Sequence, residues 1–211
     1  MTTNGDSAAQ VTSYRGKRIL DVFVASAALV VTAPLWPLIA AAIRLETKGP
    51  VLHRAERVGL FGQPFTLLKF RSMRTGFTGP AVTSGSDIRI TRSGRILRMS
   101  KLDELPQFVN VLRGEMSIVG PRPEDPRYVV HYTVAQSAVL SVRPGITGAA
   151  AVAYRHEESI LAKADDVEAA YVTDVLPAKL DLELSYVRTC SLSNDLALIA
   201  RTILAITGRF H

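Results

Sequence analysis

One apolar segment, residues 19–43, constrains the fold of this chain more than any other feature. Its sequence is ILDVFVASAALVVTAPLWPLIAAAI, and Asp21 is its only charged residue. At about 1.5 Å per residue, a straight helix of this length reaches roughly 37 Å, which exceeds the ~30 Å hydrocarbon core of a bilayer. A buried helix of a soluble core is disfavoured, because such helices usually have a polar face and this segment has almost none. The sequence therefore predicts that the segment lies in lipid.

The segment is not expected to be a single straight helix. Pro34 and Pro37 lie past its middle, and an internal proline removes a helix hydrogen bond and clashes with the preceding turn. Basic residues flank the segment on both sides: Arg15, Lys17 and Arg18 before it, and Arg44 and Lys48 after it. Because positive residues mark the cytoplasmic side, a simple span should be flanked asymmetrically. We therefore predict a re-entrant hairpin broken at Ala33–Pro34, in preference to a full span.

The remaining length and charge limit the organisation and the partners. With 211 residues, the chain has room for one globular domain beyond the membrane segment. The predicted parts are a flexible tail (1–13), a re-entrant helix with basic flanks (14–48) and a cytoplasmic domain (49–211). The net charge of +6 indicates an anionic partner, which could be nucleic acid, anionic lipid or a phosphorylated substrate. A single cysteine, Cys190, excludes an internal disulfide.

Local periodicity predicts an α+β fold that is mostly helical. Short strands that form a small sheet or hairpin are expected at 51–53, 57–59 and 65–70, separated by the Gly-containing segment 59–62, and a surface loop is expected at 75–87. A helix should end near Met99, followed by a second helix to Gly114 with Ser100 as a possible N-cap. The other expected elements are an extended piece (117–123), helices (124–142, 165–176, 178–187 and 196–206) and a Pro/Gly loop (143–148).

Several charged residues lie outside the simple periodic faces: Lys69, Arg71, Arg98, Asp103, Glu104, Arg122 and Arg143. Adjacent carboxylates near a helix start suit metal-assisted phosphoryl chemistry, and nearby cations can bind phosphates. An Asp-Glu pair is also common on solvated helix faces, so the pair alone does not decide the function. Arg122 is more informative, because the prolines of its Gly-Pro-Arg-Pro loop fix the side chain.

Five motifs occur in a fixed order along the chain: KFRSM (69–73), LDELPQ (102–107), NVLRGEMS (110–117), VGPRP (119–123) and RPGITG (143–148). Together they resemble the bacterial sugar transferase family, the monotopic polyprenol-phosphate phosphoglycosyl transferases. The resemblance covers nearly all of residues 17–206. Such a set of long motifs is far more specific than any one of them.

The resemblance implies a covalent two-step reaction. Asp103 is expected to attack the β-phosphate of a UDP-sugar and release UMP, and undecaprenyl phosphate is then expected to take up the phosphosugar. Asp103 and Glu104 would bind Mg²⁺, although Glu104 could instead handle a proton. Arg98 and Arg122 would contact phosphates, and Lys69 and Arg143 are further candidates. The expected location is the cytoplasmic face of a bacterial inner membrane, at the first membrane step of glycoconjugate synthesis, alongside downstream glycosyltransferases.

The chain departs from the family pattern at two places. Ala33 stands where the membrane helix often has serine before the proline, and Thr32 could supply the missing hydroxyl. Glu183 stands where relatives have an aspartate ahead of Tyr186-Val187. The tract 154–159 is expected to be a solvated polar loop, with contact to the sugar as the alternative.

Two other classes of function remain open. A membrane-tethered nucleic-acid binder would use the basic stripe near Arg98, but it leaves Asp103 and Glu104 unexplained and lacks an aromatic platform for bases, so no nucleic-acid partner is expected. A non-catalytic membrane scaffold for glycan assembly needs only the anchor and a surface. The carboxylate pair separates both alternatives from an enzyme.

Overall fold

The computed structural model describes residues 13–76, 87–155, 157–162, 164 and 166–206. The predicted tail, apart from Ser13, and residues 77–86 of the predicted loop lie outside this range. The helices are α1 (Lys17–Thr32), α2 (Leu35–Glu46), α3 (Arg92–Met99), α4 (Gln107–Arg113), α5 (Pro126–Val129), α6 (Ala149–Ala153), α7 (Glu157–Leu161), α8 (Val167–Ala170), α9 (Leu176–Thr189) and α10 (Leu192–Ile206). The strands are β1 (Leu52–Val58), β2 (Pro64–Phe70), β3 (Ser117–Val119) and β4 (Gly145–Thr147). The predicted α+β, mostly helical class is confirmed.

Helices α1 and α2 form a bent pair with an angle of 64° between them. Because Pro34 has no N–H, the carbonyl of Val30 loses its usual helical donor, and the amide of Ala33 bonds to it at 3.4 Å instead. The hydroxyl of Thr32 donates to the carbonyl of Ala28, so it does not replace the missing bond. Within the described ranges, neither helix alone is long and apolar enough to cross a bilayer, but the bent pair together meets the criterion by length and composition.

The surface of this bent pair is largely apolar. Exposed side chains on it include Ile19, Phe23, Val30, Val31, Leu38 and Leu45. The other side of α1 contacts the rest of the protein, where Asp21 is buried. Its Oδ1 accepts hydrogen bonds from the amide of Ile118 and the hydroxyl of Ser117, each at 2.9 Å. The only charge in the apolar segment therefore joins α1 to β3.

The two short sheets differ in how far they could be predicted. Strands β1 and β2 form an antiparallel ribbon in which Leu52 lies opposite Phe70, so the predicted small sheet or hairpin is confirmed. Strands β3 and β4 pair in parallel, so the prediction of a loop over 143–148 is wrong. A Cβ on Gly145 would lie 2.1 Å from the backbone nitrogen of Gly120. The close approach of these two backbones explains why a Pro-Gly sequence forms a strand here.

Several predicted helix boundaries are also wrong. The hydroxyl of Ser100 donates to the carbonyl of Ile96 at 2.7 Å, so Ser100 closes α3 rather than starting the next helix. The predicted helix over 124–142 is limited to α5 and a 3₁₀ turn at Gln136–Ser141. The predicted helices 165–176 and 178–187 are not separate. Helix α8, a π turn at Tyr171–Val175 and α9 follow one another as one continuous helical segment. The predicted polar loop 154–159 contains the start of α7, and His156 lies outside the described residues.

Candidate active site

The two adjacent carboxylates lie in a 3₁₀ turn, Leu102–Glu104, between α3 and α4. The turn begins after Lys101, which adopts a left-handed conformation with φ 57°, and α4 begins directly after Pro106. This sharp change of direction turns both carboxylates inward. Asp103 is 6% exposed and Glu104 is 9% exposed. The pair is therefore part of the interior and not of a solvated helix face.

Glu104 is held by two cations from distant segments. Its Oε1 lies 3.2 Å from Lys69 Nζ on β2 and 3.2 Å from Arg122 Nη2 on the loop after β3. Burial alone would raise the pKa of the Glu104 carboxyl, but the charges of Lys69 and Arg122 outweigh burial and hold the pKa well below its usual range. Glu104 is thus a fixed anion that ties the turn to β2 and to the Gly-Pro-Arg-Pro loop.

Asp103 is in the opposite condition. Its Oδ1 is buried and has no hydrogen-bond partner among the described residues. Burial raises the pKa of the Asp103 carboxyl and the negative charge of Glu104 adds to the rise, while Lys69 opposes it. An unpartnered buried oxygen is costly to a folded protein, and such groups are often explained by a ligand or a catalytic role. Asp103 Oδ1 is therefore the oxygen of this site that is available to accept a hydrogen bond or to bind a metal ion or substrate.

The other predicted cations are placed differently. Arg98 on α3 lies near enough to lower the pKa of Asp103 by its charge, although it is not the main influence. Arg143 does not join this group, because its Nε donates to the carbonyl of Gly114, at the end of α4, at 2.8 Å. Arg71 donates to the carbonyls of Thr47 and Lys48, following α2. The structure thus brings Lys69, Arg98 and Arg122 to the carboxylates, and it uses Arg71 and Arg143 elsewhere.

Helix α3 is held at its first turn by the end of α2. The two carboxylate oxygens of Glu46, the last residue of α2, accept the backbone amides of Arg92 at 2.6 Å and Ser93 at 2.8 Å. These amides are among the helix donors that have no partner inside the helix, and a negative charge there is favourable. The end of the apolar hairpin therefore positions the helix that leads into the carboxylate turn.

A second buried polar cluster, which was not predicted from the sequence, lies next to Arg122. Lys179 Nζ on α9 contacts Glu157 Oε2 at 2.8 Å and the hydroxyl of Tyr171 at 3.1 Å. On the same helix, Glu183 is 3% exposed and its Oε2 has no hydrogen-bond partner among the described residues. Both α9 residues line a small cavity that Arg122 also lines. Their spacing of four, on the face of α9 that is otherwise apolar, was the available signal.

The carboxylate pair is suitable for a divalent cation that also binds substrate. Among the described residues, no group of three or more His, Cys, Asp or Glu side chains could hold a metal ion on its own. Mg²⁺, however, is usually bound by one or two carboxylates together with water and substrate phosphates. Asp103 has a free buried oxygen and Glu104 is adjacent. The residues present therefore fit Mg²⁺ bound jointly with a phosphorylated substrate.

Together, the fold and the site define a class of protein. A buried carboxylate pair is surrounded by cations and is mounted on a bent apolar helix pair, and such a carboxylate pair is suited to phosphate chemistry. A comparison with protein families is in agreement, because the bacterial sugar transferase model matches residues 12–209. The chain belongs to the bacterial sugar transferase family.

Individual relatives are similar over most of this chain. A UDP-glucose:undecaprenyl-phosphate glucose-1-phosphate transferase of Caulobacter vibrioides is 40% identical over 192 residues, covering 89% of this chain and 68% of the relative. A protein of the same name from Klebsiella pneumoniae is 37% identical over 193 residues, and the match covers 39% of it. A UDP-N-acetylgalactosamine-undecaprenyl-phosphate N-acetylgalactosaminephosphotransferase of Aeromonas hydrophila is 35% identical over 199 residues, which cover 92% of this chain and 44% of the relative. The chain thus spans less than half the length of the last two.

Proposed function

We propose that this protein transfers a sugar 1-phosphate from a UDP-sugar to undecaprenyl phosphate, giving an undecaprenyl-diphosphate sugar and UMP. The observation that carries the proposal is the asymmetry of the buried pair. Glu104 is neutralised by two cations, whereas Asp103 presents an unpartnered oxygen beside them. The names of the relatives agree with this reaction class, and they include both glucose and N-acetylgalactosamine donors. The proposal therefore names a UDP-sugar as the donor and does not specify which sugar it carries.

The chemistry follows in two balanced displacements. A carboxylate oxygen of Asp103 forms a bond to the β-phosphorus, and the bond from that phosphorus to the bridging oxygen breaks. The electron pair stays on the bridging oxygen, which leaves as part of UMP. A phosphate oxygen of undecaprenyl phosphate then attacks the same phosphorus and displaces the Asp103 carboxylate. No proton is gained or lost overall, and the covalent step divides one difficult reaction into two.

The remaining residues reduce the repulsion between anions. The carboxylate, the diphosphate and the acceptor phosphate all carry negative charge, so cations are needed around the reacting phosphorus. Arg122 and Lys69 are already fixed in place by Glu104, and Arg98 lies close by on α3. Mg²⁺ held by Asp103 and Glu104 would supply further charge neutralisation when bound.

The membrane part of the proposal is that α1 and α2 enter the bilayer as a re-entrant hairpin. Its support is the 64° bend, the exposed apolar side chains and the basic residues at both ends. This arrangement would keep the catalytic domain on the cytoplasmic face, beside the phosphate of the lipid acceptor. Single cysteines at Ser13 and Lys48, in a Cys190→Ser background, provide the test. Both should be labelled from the cytoplasmic side, and labelling from opposite sides would overturn the hairpin.

Asp103→Asn tests the catalytic proposal, with Asp181→Asn on the exposed face of α9 as a matched control. UMP release is measured with a panel of UDP-sugars, undecaprenyl phosphate and Mg²⁺. Asp103→Asn should lose at least about 10³-fold in rate, as expected for removal of a nucleophile, while the control keeps normal activity. The wild type should also release a burst of UMP before the acceptor is added. A near-normal rate for Asp103→Asn would rule out Asp103 as the nucleophile, and absence of turnover in the wild type with every UDP-sugar would favour a scaffold.

A further inference from the structure

The β1–β2 ribbon has two faces that contact different parts of the protein. Side chains alternate between the faces of a strand, so Lys69, which contacts Glu104, points away from Thr66 and Leu68. The second face forms one wall of a groove whose other walls are α4 and the first turn of α2. We call this the ribbon groove. Its main lining residues are Trp36, Leu52, Arg54, Leu68, Val109 and Arg113.

The lining of the ribbon groove combines an apolar floor with two free cations. Trp36, Leu52, Leu68 and Val109 supply apolar surface, and the groove is open to solvent. Arg54 and Arg113 are both exposed. Across the described ranges, neither guanidinium makes an ion pair or side-chain hydrogen bond, in contrast to Arg71, Arg122 and Arg143. Guanidinium groups bind phosphate oxygens in a bidentate manner, so the groove is suited to an amphiphile with a phosphate head.

The position of Trp36 places this groove beside the hairpin. Its ring packs edge-on against Phe70 of β2, with 5.2 Å between centroids, and its Nε1 donates to Thr32 Oγ1. Trp36 thus connects α1, α2 and the ribbon at the bend. Tryptophan is enriched where proteins meet the membrane interface, since one end of its side chain is apolar and the other can donate a hydrogen bond.

We propose that the ribbon groove binds one anionic phospholipid of the bilayer, with its phosphate on Arg54 and Arg113 and its upper acyl region against Trp36, Leu52 and Val109. This proposal rests on the membrane association proposed above. The lipid is distinct from the acceptor, because the ribbon separates the groove from the face that carries Lys69 and Glu104. Pro106 lines the groove at the start of α4 and follows the carboxylate turn closely, so the lipid would steady that turn.

Trp36 gives a direct readout, because it is the only tryptophan in the chain. The full-length protein is placed in phosphatidylcholine vesicles that contain phosphatidylglycerol, and one of the two lipids carries bromine on its acyl chains. Bromine quenches tryptophan fluorescence at short range. At equal mole fraction, brominated phosphatidylglycerol should quench Trp36 more than brominated phosphatidylcholine. Each arginine should favour binding of phosphatidylglycerol over phosphatidylcholine by roughly fivefold. This factor corresponds to the gain of about 1 kcal/mol for one basic residue near an anionic surface.

The test variant is Arg54→Gln/Arg113→Gln. Its control is Arg188→Gln/Arg201→Gln, which removes the same charge from exposed positions on α9 and α10. The groove variant should lose the preference, and the control should keep it. Equal quenching by both lipids in the wild type, or a preference that survives in the groove variant, would overturn the proposal.

UMP release in the same vesicles separates this proposal from the proposed function. Selective quenching without UMP release would support the groove and overturn the catalytic assignment. UMP release with equal quenching would leave the catalytic assignment standing and overturn the groove. Protein that fails to bind the vesicles in a flotation assay would overturn the membrane proposal and the groove together.

Discussion

Glu183→Gln should stabilise this protein at alkaline pH and leave its stability unchanged at acidic pH. Burial raises the pKa of Glu183 to about 7, against the opposing backbone amides of Arg122 and Ala150 and the charge of Lys179. In the unfolded chain the group has its ordinary value of 4.5. A difference of roughly 2.5 pKa units corresponds to about 3 kcal/mol of folding free energy.

The sign follows from which state holds the proton. The folded pKa is the higher one, so the folded protein binds this proton more tightly than the unfolded chain does. The resulting stability is complete below pH 4.5 and is lost as the pH rises through about 7. A glutamine side chain carries no charge at any pH and keeps an oxygen for the amide of Ala150, which Glu183 Oε1 accepts at 3.3 Å. The Glu183→Gln variant therefore does not lose folding stability as the pH rises.

Thermal unfolding in detergent micelles, followed by circular dichroism, measures the effect. At pH 8 the variant should unfold about 6–12 °C above the wild type, since 1 kcal/mol shifts the midpoint of a chain of this size by roughly 2–4 °C. At pH 4.5 the two midpoints should coincide. Asp181→Asn removes an exposed carboxylate from the same helix and should show no such pH dependence. A variant that is less stable than the wild type at pH 8 would refute the reasoning, because it would mean that Lys179 and Arg122 stabilise the charged form more than burial opposes it.

Two further substitutions test the contacts that position the site. Asp21→Ala should destabilise the fold by about 2–4 kcal/mol, because it leaves a buried amide and hydroxyl of β3 without their acceptor. Asp21→Asn keeps Oδ1 and should lose much less, so equal losses in chemical denaturation would contradict this account. Glu104→Gln should cost about 1.5–3 kcal/mol, because the partly exposed Lys69 and Arg122 lose the anion that they contact. Adding Lys69→Met should recover part of that loss, and a double variant less stable than Glu104→Gln would show that the charge of Lys69 is not the cause.

The features that sequence reasoning identified depend on local chemistry. A proline has no N–H and crowds the preceding turn, so the break at Ala33–Pro34 could be predicted from Pro34 and its neighbours. The same local rule does not hold everywhere, because Pro177 lies inside the continuous helical segment that includes α9. The β1–β2 ribbon could also be predicted from local sequence. Its two strands are joined by a short turn that contains glycine, and they pair with each other. Asp103, Glu104 and Arg122 were predicted as site residues from an ordered series of motifs. The motifs do not show which of these side chains contact each other.

The features that were missed depend on contacts between distant parts of the chain. Strand β4 exists because Gly145 can approach Gly120 closely, and a Pro-Gly sequence read alone indicates a turn. Arg143 was proposed as a phosphate-binding residue from its motif, and the motif alone does not show that its Nε donates to the carbonyl of Gly114 at the end of α4. Glu183 was noticed as a departure from the family pattern, but only the fold shows that its carboxylate is buried beside Arg122.

The contacts between hairpin and site explain why one bent helix pair could set the position of the reactive carboxylate. Asp21 on α1 binds β3, the strand that leads to Arg122, and Glu46 on α2 binds the first turn of α3, the helix that leads to Asp103. Each arm of the bent pair thus fixes one side of the site, with the proposed nucleophile, Asp103, on one side and Arg122 on the other. If the hairpin enters the bilayer as proposed, its bend angle sets the separation of the two arms and hence the geometry presented to the lipid phosphate. A change in that angle would then alter catalysis without touching a catalytic residue.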